Sequence, residues 1–123
     1  MAQVPLCILI VDRDPLDRLM IQDALRQGAE KEYEFCEAEN GEAAWALYRQ
    51  RKPDLLLLDP DLPDIRGTLL LRALRGEAEL LPLPVVIVSH APTGHKTTEA
   101  LAAGAQDVIA KSHLTPDSIA RVV

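Results

Sequence analysis

Five short apolar runs punctuate the chain: Leu6–Val11, Tyr33–Ala38, Leu55–Leu58, Val85–Val88 and Val108–Ala110. Most are continuously apolar rather than alternating, which is the pattern of strands covered on both faces of a sheet. The second run mixes Tyr33, Phe35 and Ala38 with Glu34 and Glu37, and so suits a strand at the sheet edge.

Helix signals fill the gaps between the runs. Asp14 can cap a helix whose first residue is Pro15, with Gly28 following its end. Its apolar residues Leu16, Leu19, Met20, Ile21 and Leu25 form a broad stripe. Asn40 can cap a second helix carrying Ala43, Ala44 and Leu47, and a third runs from Gly67 to Arg75 and is ended by Gly76. A weaker fourth spans Gly94 to Ala103, after which Gly104 can take a left-handed turn. Thr115 caps a fifth, with Pro116 at its first position and Asp117 well placed for the helix dipole.

The order is therefore strand then helix, five times over. Such units imply parallel strands joined by right-handed crossovers, with helices on both faces of the sheet. The expected architecture is a three-layer, doubly wound α/β fold. With 123 residues and 48% hydrophobic content the chain suits one domain, spanning 1–123. Val123 falls barely two turns into the fifth helix, so further domains are expected downstream in the natural protein.

A net charge of −6 argues against sequence-independent binding to nucleic acid or to anionic membranes. No apolar run approaches the roughly 20 residues of a membrane span, and the first residues lack the basic start of a signal peptide, which points to the cytoplasm. Cys7 and Cys36 lie in separate apolar segments without metal-ligand spacing and read as buried free thiols.

The polar residues that follow the apolar runs carry the chemistry. Asp12 and Asp14 follow the first run, Asp59 and Asp61 the third, Ser89 and His90 the fourth, and Lys111 the fifth. In a doubly wound sheet the strand C-termini share one crevice, so these side chains converge on a single rim. Carboxylates, a hydroxyl and an ammonium brought together suit phosphoryl transfer to a carboxylate. One Asp acts as nucleophile, neighbouring acids hold Mg²⁺, and the hydroxyl and ammonium bind phosphoryl oxygens.

Four segments carry a resemblance to a known family: Ile8 to Pro15, Pro53 to Gly67, Pro84 to Ser89, and Ala103 to Lys111. Together they resemble the receiver domain of two-component response regulators, over essentially the whole chain. The resemblance implies a CheY-like, flavodoxin-like sheet with strand order 2-1-3-4-5. It implies that Asp59 accepts a phosphoryl group from the histidine of a sensor kinase or phosphotransfer protein. Asp12, Asp59 and the backbone carbonyl of Asp61 would support Mg²⁺, directly or through water. Ser89 would supply the switch hydroxyl, and Lys111 would bind the phosphoryl group. The last two helices and the strand between them would form the output surface, with a homodimer as one form of that contact. Such a domain is a phospho-accepting signalling module and not an enzyme in the usual sense.

Several positions depart from the family pattern. Arg13 replaces the second of two adjacent acids, which predicts weaker Mg²⁺ binding unless Asp14 swings in; Arg13 would either pair with Asp59 or point into solvent. Pro60 removes one backbone N–H from the phosphate loop. Ser112 stands where a cis-linked proline is common and is expected to be trans. Val108 replaces an aromatic residue that reorients on activation, and His90 sits where a small residue is typical and reads as a solvated loop histidine. His95 and His113 show no metal-ligand spacing, and Trp45 reads as packing or surface. Arg13 and Pro60 keep a second reading open, a pseudo-receiver serving as a phosphorylation-independent interaction module. A flavin domain lacks its phosphate loop after the first strand, and a phosphatase lacks a second acid–base Asp.

Overall fold

The computed structural model describes residues 5–27, 32–76, 83–90, 94–115 and 117–118. Its elements are β1 (Leu6–Val11), α1 (Pro15–Arg26), β2 (Tyr33–Ala38), α2 (Gly41–Arg51), β3 (Leu55–Leu58), α3 (Gly67–Arg75), β4 (Val85–Ser89), α4 (Gly94–Ala102) and β5 (Asp107–Ala110). A short 3₁₀ turn over Lys111–His113 follows β5. The strands form one sheet in the order β2-β1-β3-β4-β5, with every pairing parallel. The expected topology holds, and the polar-mixed β2 lies at an edge.

Alternate residues of the inner strands serve two cores. Leu9, Val11, Leu56, Leu58, Val85 and Ile87 face α2, α3 and α4, where they meet Ala44, Tyr48, Leu71, Leu74 and Ala100. Ile8, Ile10, Leu55, Leu57, Val86, Val88 and Ile109 face the other way, against Ile21 and Leu25 of α1 and against Leu114. Two-sided burial explains why β1, β3 and β4 read as unbroken apolar runs. Each buried Leu or Ile contributes about 1.5–3 kcal/mol of transfer free energy, so these strands supply much of the driving force.

The α1 stripe needs correction. Ile21 and Leu25 are buried, together with Gln22, but Leu16, Leu19 and Met20 are exposed. A helix lying on a sheet buries one narrow arc, and these three residues lie off it. On α2 the inward residues are Ala44 and Tyr48, with Ala43 and Leu47 only partly buried. The aromatic Tyr48 does the packing assigned to smaller side chains.

The caps follow the sequence. Asp14 accepts from the Leu16 N–H at 2.9 Å, and Asn40 accepts from the Ala43 N–H at 2.8 Å. Thr115 Oγ1 accepts from the Ser118 N–H at 3.2 Å, while Ser118 Oγ accepts from the Thr115 N–H at 3.0 Å. The reciprocal pair is a helix-starting box. The rest of the expected fifth helix, Pro116 included, lies outside the described residues, as does Gly28. Gly104 takes the expected left-handed backbone with φ of 110°.

The two cysteines are free, as expected, but they are neighbours. Register pairs Leu9 with Cys36 and Cys7 with Glu34, and the thiol sulfurs lie 3.7 Å apart. Burial, reinforced by Cys36, pushes the Cys7 thiol up to about 11. Cys36 is buried and Cys7 is half-buried.

Candidate functional site

The site forms because β1, β3 and β5 end at the same rim. The Asp12 N–H donates to the Ala38 carbonyl at 3.0 Å, and the Asp59 N–H donates to the Val11 carbonyl at 2.9 Å. Both aspartates therefore continue the ladder for one residue past their strands, which fixes their backbones before their side chains turn inward. Ser89 is buried and pairs in register with Ala110, so it stands one residue from Lys111 across the β4–β5 ladder.

Lys111 is the centre of the cluster. Its ammonium donates to Asp59 Oδ2 at 2.7 Å and to Asp17 Oδ2 at 2.8 Å, and it lies 2.6 Å from Asp12 Oδ2. The lysine side chain is only 2% exposed and that of Asp12 only 1%. Burial opposes the ammonium charge, but the close carboxylates of Asp12, Asp17 and Asp59 outweigh it and hold the lysine protonated above its ordinary range. Burial also dominates at Asp12, which is pushed up from the usual carboxylate range despite its cationic neighbour. For Asp17 burial pulls upward, but hydrogen bonds from Lys111 and His90 win and hold it below that range.

Backbone donors orient the carboxylates. The Asp14 N–H donates to Asp12 Oδ1 at 2.9 Å, and the Asp61 N–H donates to Asp59 Oδ1 at 2.8 Å. The Asp61 N–H, which Pro60 leaves as the next amide of the loop, thus serves the Asp59 carboxylate itself. Asp12 Oδ2 faces the ammonium closely but accepts no well-aligned hydrogen bond.

The β3–α3 loop is held from both sides. The Gly67 N–H donates to the Pro60 carbonyl at 2.9 Å, and the backbones of Asp61 and Arg66 form an isolated antiparallel β-bridge. A Cβ on Gly67 would lie 2.7 Å from the Pro60 Cα and 3.0 Å from the Asp59 carbonyl oxygen, so the loop can close only over glycine. Asp64 reaches back to α2, accepting from the Gly41 N–H at 2.8 Å and the Glu42 N–H at 3.0 Å. The hydrogen bond from Gly41, helped by that from Glu42, holds the Asp64 carboxyl below its ordinary range.

The departing positions resolve individually. Arg13 is exposed and makes no ion pair with Asp59, so of the two expected placements the solvent-facing one holds. The cation beside Asp59 is Lys111. Asp14 caps α1 rather than joining the cluster. Ser112 is exposed, and no cis peptide bond occurs among the described residues. Val108 is half-buried and lines a cavity of about 340 Å³ with Pro60, Asp61, Ile87 and Ser89. His113 is exposed, and the His95 side chain lies outside the described residues. Trp45 is half-buried under the Arg49 guanidinium at 5.0 Å.

His90 corrects the expectation of a merely solvated residue. Its side chain is 68% exposed, yet Nε2 lies 2.7 Å from Asp17 Oδ2. Sequence reasoning missed Asp17 altogether. An acid in the first turn of a helix explains itself through the helix dipole, which hides a second use. Its one signal is that α1 starts directly on the rim, so a first-turn side chain can reach the crevice.

A parallel sheet in the order 2-1-3-4-5 with helices between its strands is the CheY-like α/β fold. A family model for the response regulator receiver domain matches residues 8–123, and the chain belongs to that family. It is a two-component signalling domain. The phosphate regulon transcriptional regulatory protein PhoB of Pseudomonas aeruginosa is 36% identical over 115 residues, covering 94% of this chain and 49% of that protein. The chain spans about half the length of the curated relatives it matches. The chemotaxis response regulator CheY4 of Vibrio cholerae superposes with a TM-score of 0.83 at 22% identity, covering 98% of this chain and 100% of that one. The Mn²⁺-bound form of response regulator Rcp1 superposes with a TM-score of 0.78 at 24% identity, covering 96% and 89%. Among the described residues no helix is long and apolar enough to cross a membrane.

Proposed function

We propose that Asp59 is the phosphoryl acceptor of this receiver domain, and that the donor is the phosphohistidine of a sensor histidine kinase or phosphotransfer protein. In the transfer the donor N–P bond breaks, a bond forms between phosphorus and an Asp59 carboxylate oxygen, and the freed imidazole takes up a proton. The carrying observation is that Asp59 Oδ2 lies 2.7 Å from a buried ammonium, which meets the charge of the incoming phosphoryl oxygens. Ser89 supplies a hydroxyl to the same group from the end of β4.

The donor set suits a divalent cation of the Mg²⁺ kind. Asp12 and Asp59 are hard oxygen ligands, and Asp12 Oδ2 is buried without an aligned hydrogen bond. Among the described residues no group of three His, Cys, Asp or Glu side chains is arranged to hold a metal alone. Asp12, Asp59 and the Asp61 carbonyl would therefore hold Mg²⁺ together with water. When bound it neutralises charge on the phosphoryl oxygens. Arg13 contributes no carboxylate, so the affinity should be weak.

The reading extends to one receiver domain over 1–123, joined to an output domain or protein in the cytoplasm through α4, β5 and the segment after Thr115, with a homodimer as one form. Neither nucleic acid nor membrane is a direct partner. Acetyl phosphate with Mg²⁺ tests the central claim: a hydroxylamine-sensitive phosphoryl adduct should form and be lost in Asp59→Asn. If the intact chain forms no adduct, the phosphorylation-independent interaction module takes its place.

A further inference from the structure

Asp17 is a third anion on the ammonium that Asp59 uses. Lys111 Nζ donates to it at 2.8 Å and to Asp59 at 2.7 Å, while Asp12 faces the same nitrogen at 2.6 Å. An ammonium has three N–H bonds, so carboxylates already surround it. Asp17 is also poorly placed to let go. It sits in the first turn of α1, whose start is fixed by the Asp14 cap and Pro15, and its carboxylate is 14% exposed. On its open side His90 Nε2 meets the same Oδ2 at 2.7 Å, tying the end of β4 to α1 across the rim.

Once Asp59 carries a phosphoryl group, the charge moves outward onto the phosphoryl oxygens. They can take the ammonium only in competition with Asp17, and they acquire Asp17 as a like charge attached to the same nitrogen. We propose that Asp17 is a positioning residue that holds Lys111 in the resting pocket against the phosphoryl group, with His90 keeping Asp17 in place. The idea rests on Asp59 being the acceptor. It assigns Asp17 the sign of a brake: the contact stabilises the unphosphorylated pocket and disfavours the phosphorylated one.

Beryllofluoride with Mg²⁺, titrated into the intact chain and followed by amide NMR, tests the sign. Asp17→Asn should bind the mimic about tenfold more tightly than the wild type, and His90→Ala about two- to threefold more tightly. A second readout follows the Lys111 ammonium nitrogen directly. Its protected NH₃⁺ signal should be visible in the wild type and exchange-broadened in Asp17→Asn. Asp17→Ser repeats both measurements should the Asn variant fold poorly. An unchanged or weaker affinity in Asp17→Asn overturns the proposal. So does a tighter affinity with an unchanged Lys111 signal, because Asp17 would then act on the phosphoryl group and not through the lysine. If the wild type and Asp17→Asn both ignore the mimic, the acceptor reading itself fails with it. A response from Asp17→Asn alone supports the brake in its strongest form.

Discussion

Lys111 Nζ lies 2.7 Å from Asp59 Oδ2, and this one contact joins the ends of β3 and β5 inside a pocket where the lysine is almost wholly shielded from solvent. The ammonium is the common partner of three carboxylates, so the structure concentrates charge where burial makes charge costly.

Lys111→Met should destabilise the fold at neutral pH by about 3–5 kcal/mol, because it leaves buried carboxylates facing one another without a cation. Urea denaturation measures this. The deficit should shrink below about pH 4, where carboxylates begin to protonate. An equally large deficit at low pH would mean that lost packing of the lysine stem dominates.

Asp12→Asn should act in the opposite direction, stabilising the fold by about 1 kcal/mol while abolishing metal-dependent phosphorylation. Burial pushes the Asp12 carboxyl up, so its contribution to stability is greatest below the ordinary carboxylate pKa of 3.8 and is lost as pH rises through the folded value. Asparagine keeps an oxygen for the Asp14 N–H and omits the charge. The gain should therefore appear at neutral pH and vanish near pH 3.

Asp64 carries the opposite sign. Its carboxyl is held below 3.8 by N–H groups at the start of α2, so the stability it contributes is present above that value and lost as pH falls through the lower folded value. Asp64→Ala should lower the urea midpoint at pH 7, and the wild-type and variant curves should converge on acidification. Midpoints that stay equally separated down to pH 2 would argue against a charge-based cap.

Gly67→Ala should cost about 1–3 kcal/mol, since the new methyl meets the backbone of Pro60 and the Asp59 carbonyl, neither of which can step aside cheaply. The loop carrying Asp61 would have to move, so phosphorylation by acetyl phosphate should slow along with the loss of stability. Unchanged thermal unfolding would show that the loop is softer than its contacts imply.

Much of the fold was legible because burial on both faces writes itself into the sequence. Leu55–Leu58 and Val85–Val88 are apolar without alternation, and only a covered parallel sheet accounts for that. The caps at Asp14, Asn40 and Thr115 were readable for the same local reason, since a cap and its N–H lie within three residues. The α1 stripe misled because Leu16, Leu19 and Met20 carry the residue type of a core but point away from the sheet. Composition cannot choose the arc a helix presents.

The sequence by itself determined which residues stand on the rim. Strands end where polar residues follow apolar runs, and a doubly wound sheet brings those ends together, so Asp12, Asp59, Ser89 and Lys111 had to be neighbours. Only the tertiary structure decided how they are partnered. Lys111 reaches Asp17 across 94 positions of sequence and Asp59 across 52, while Arg13, directly beside Asp12, turns to solvent. Those outcomes depend on how α1 is seated over the sheet and on where each side chain leaves its backbone. Electrostatic partners are chosen by distance through space, and no local pattern in the sequence encodes it.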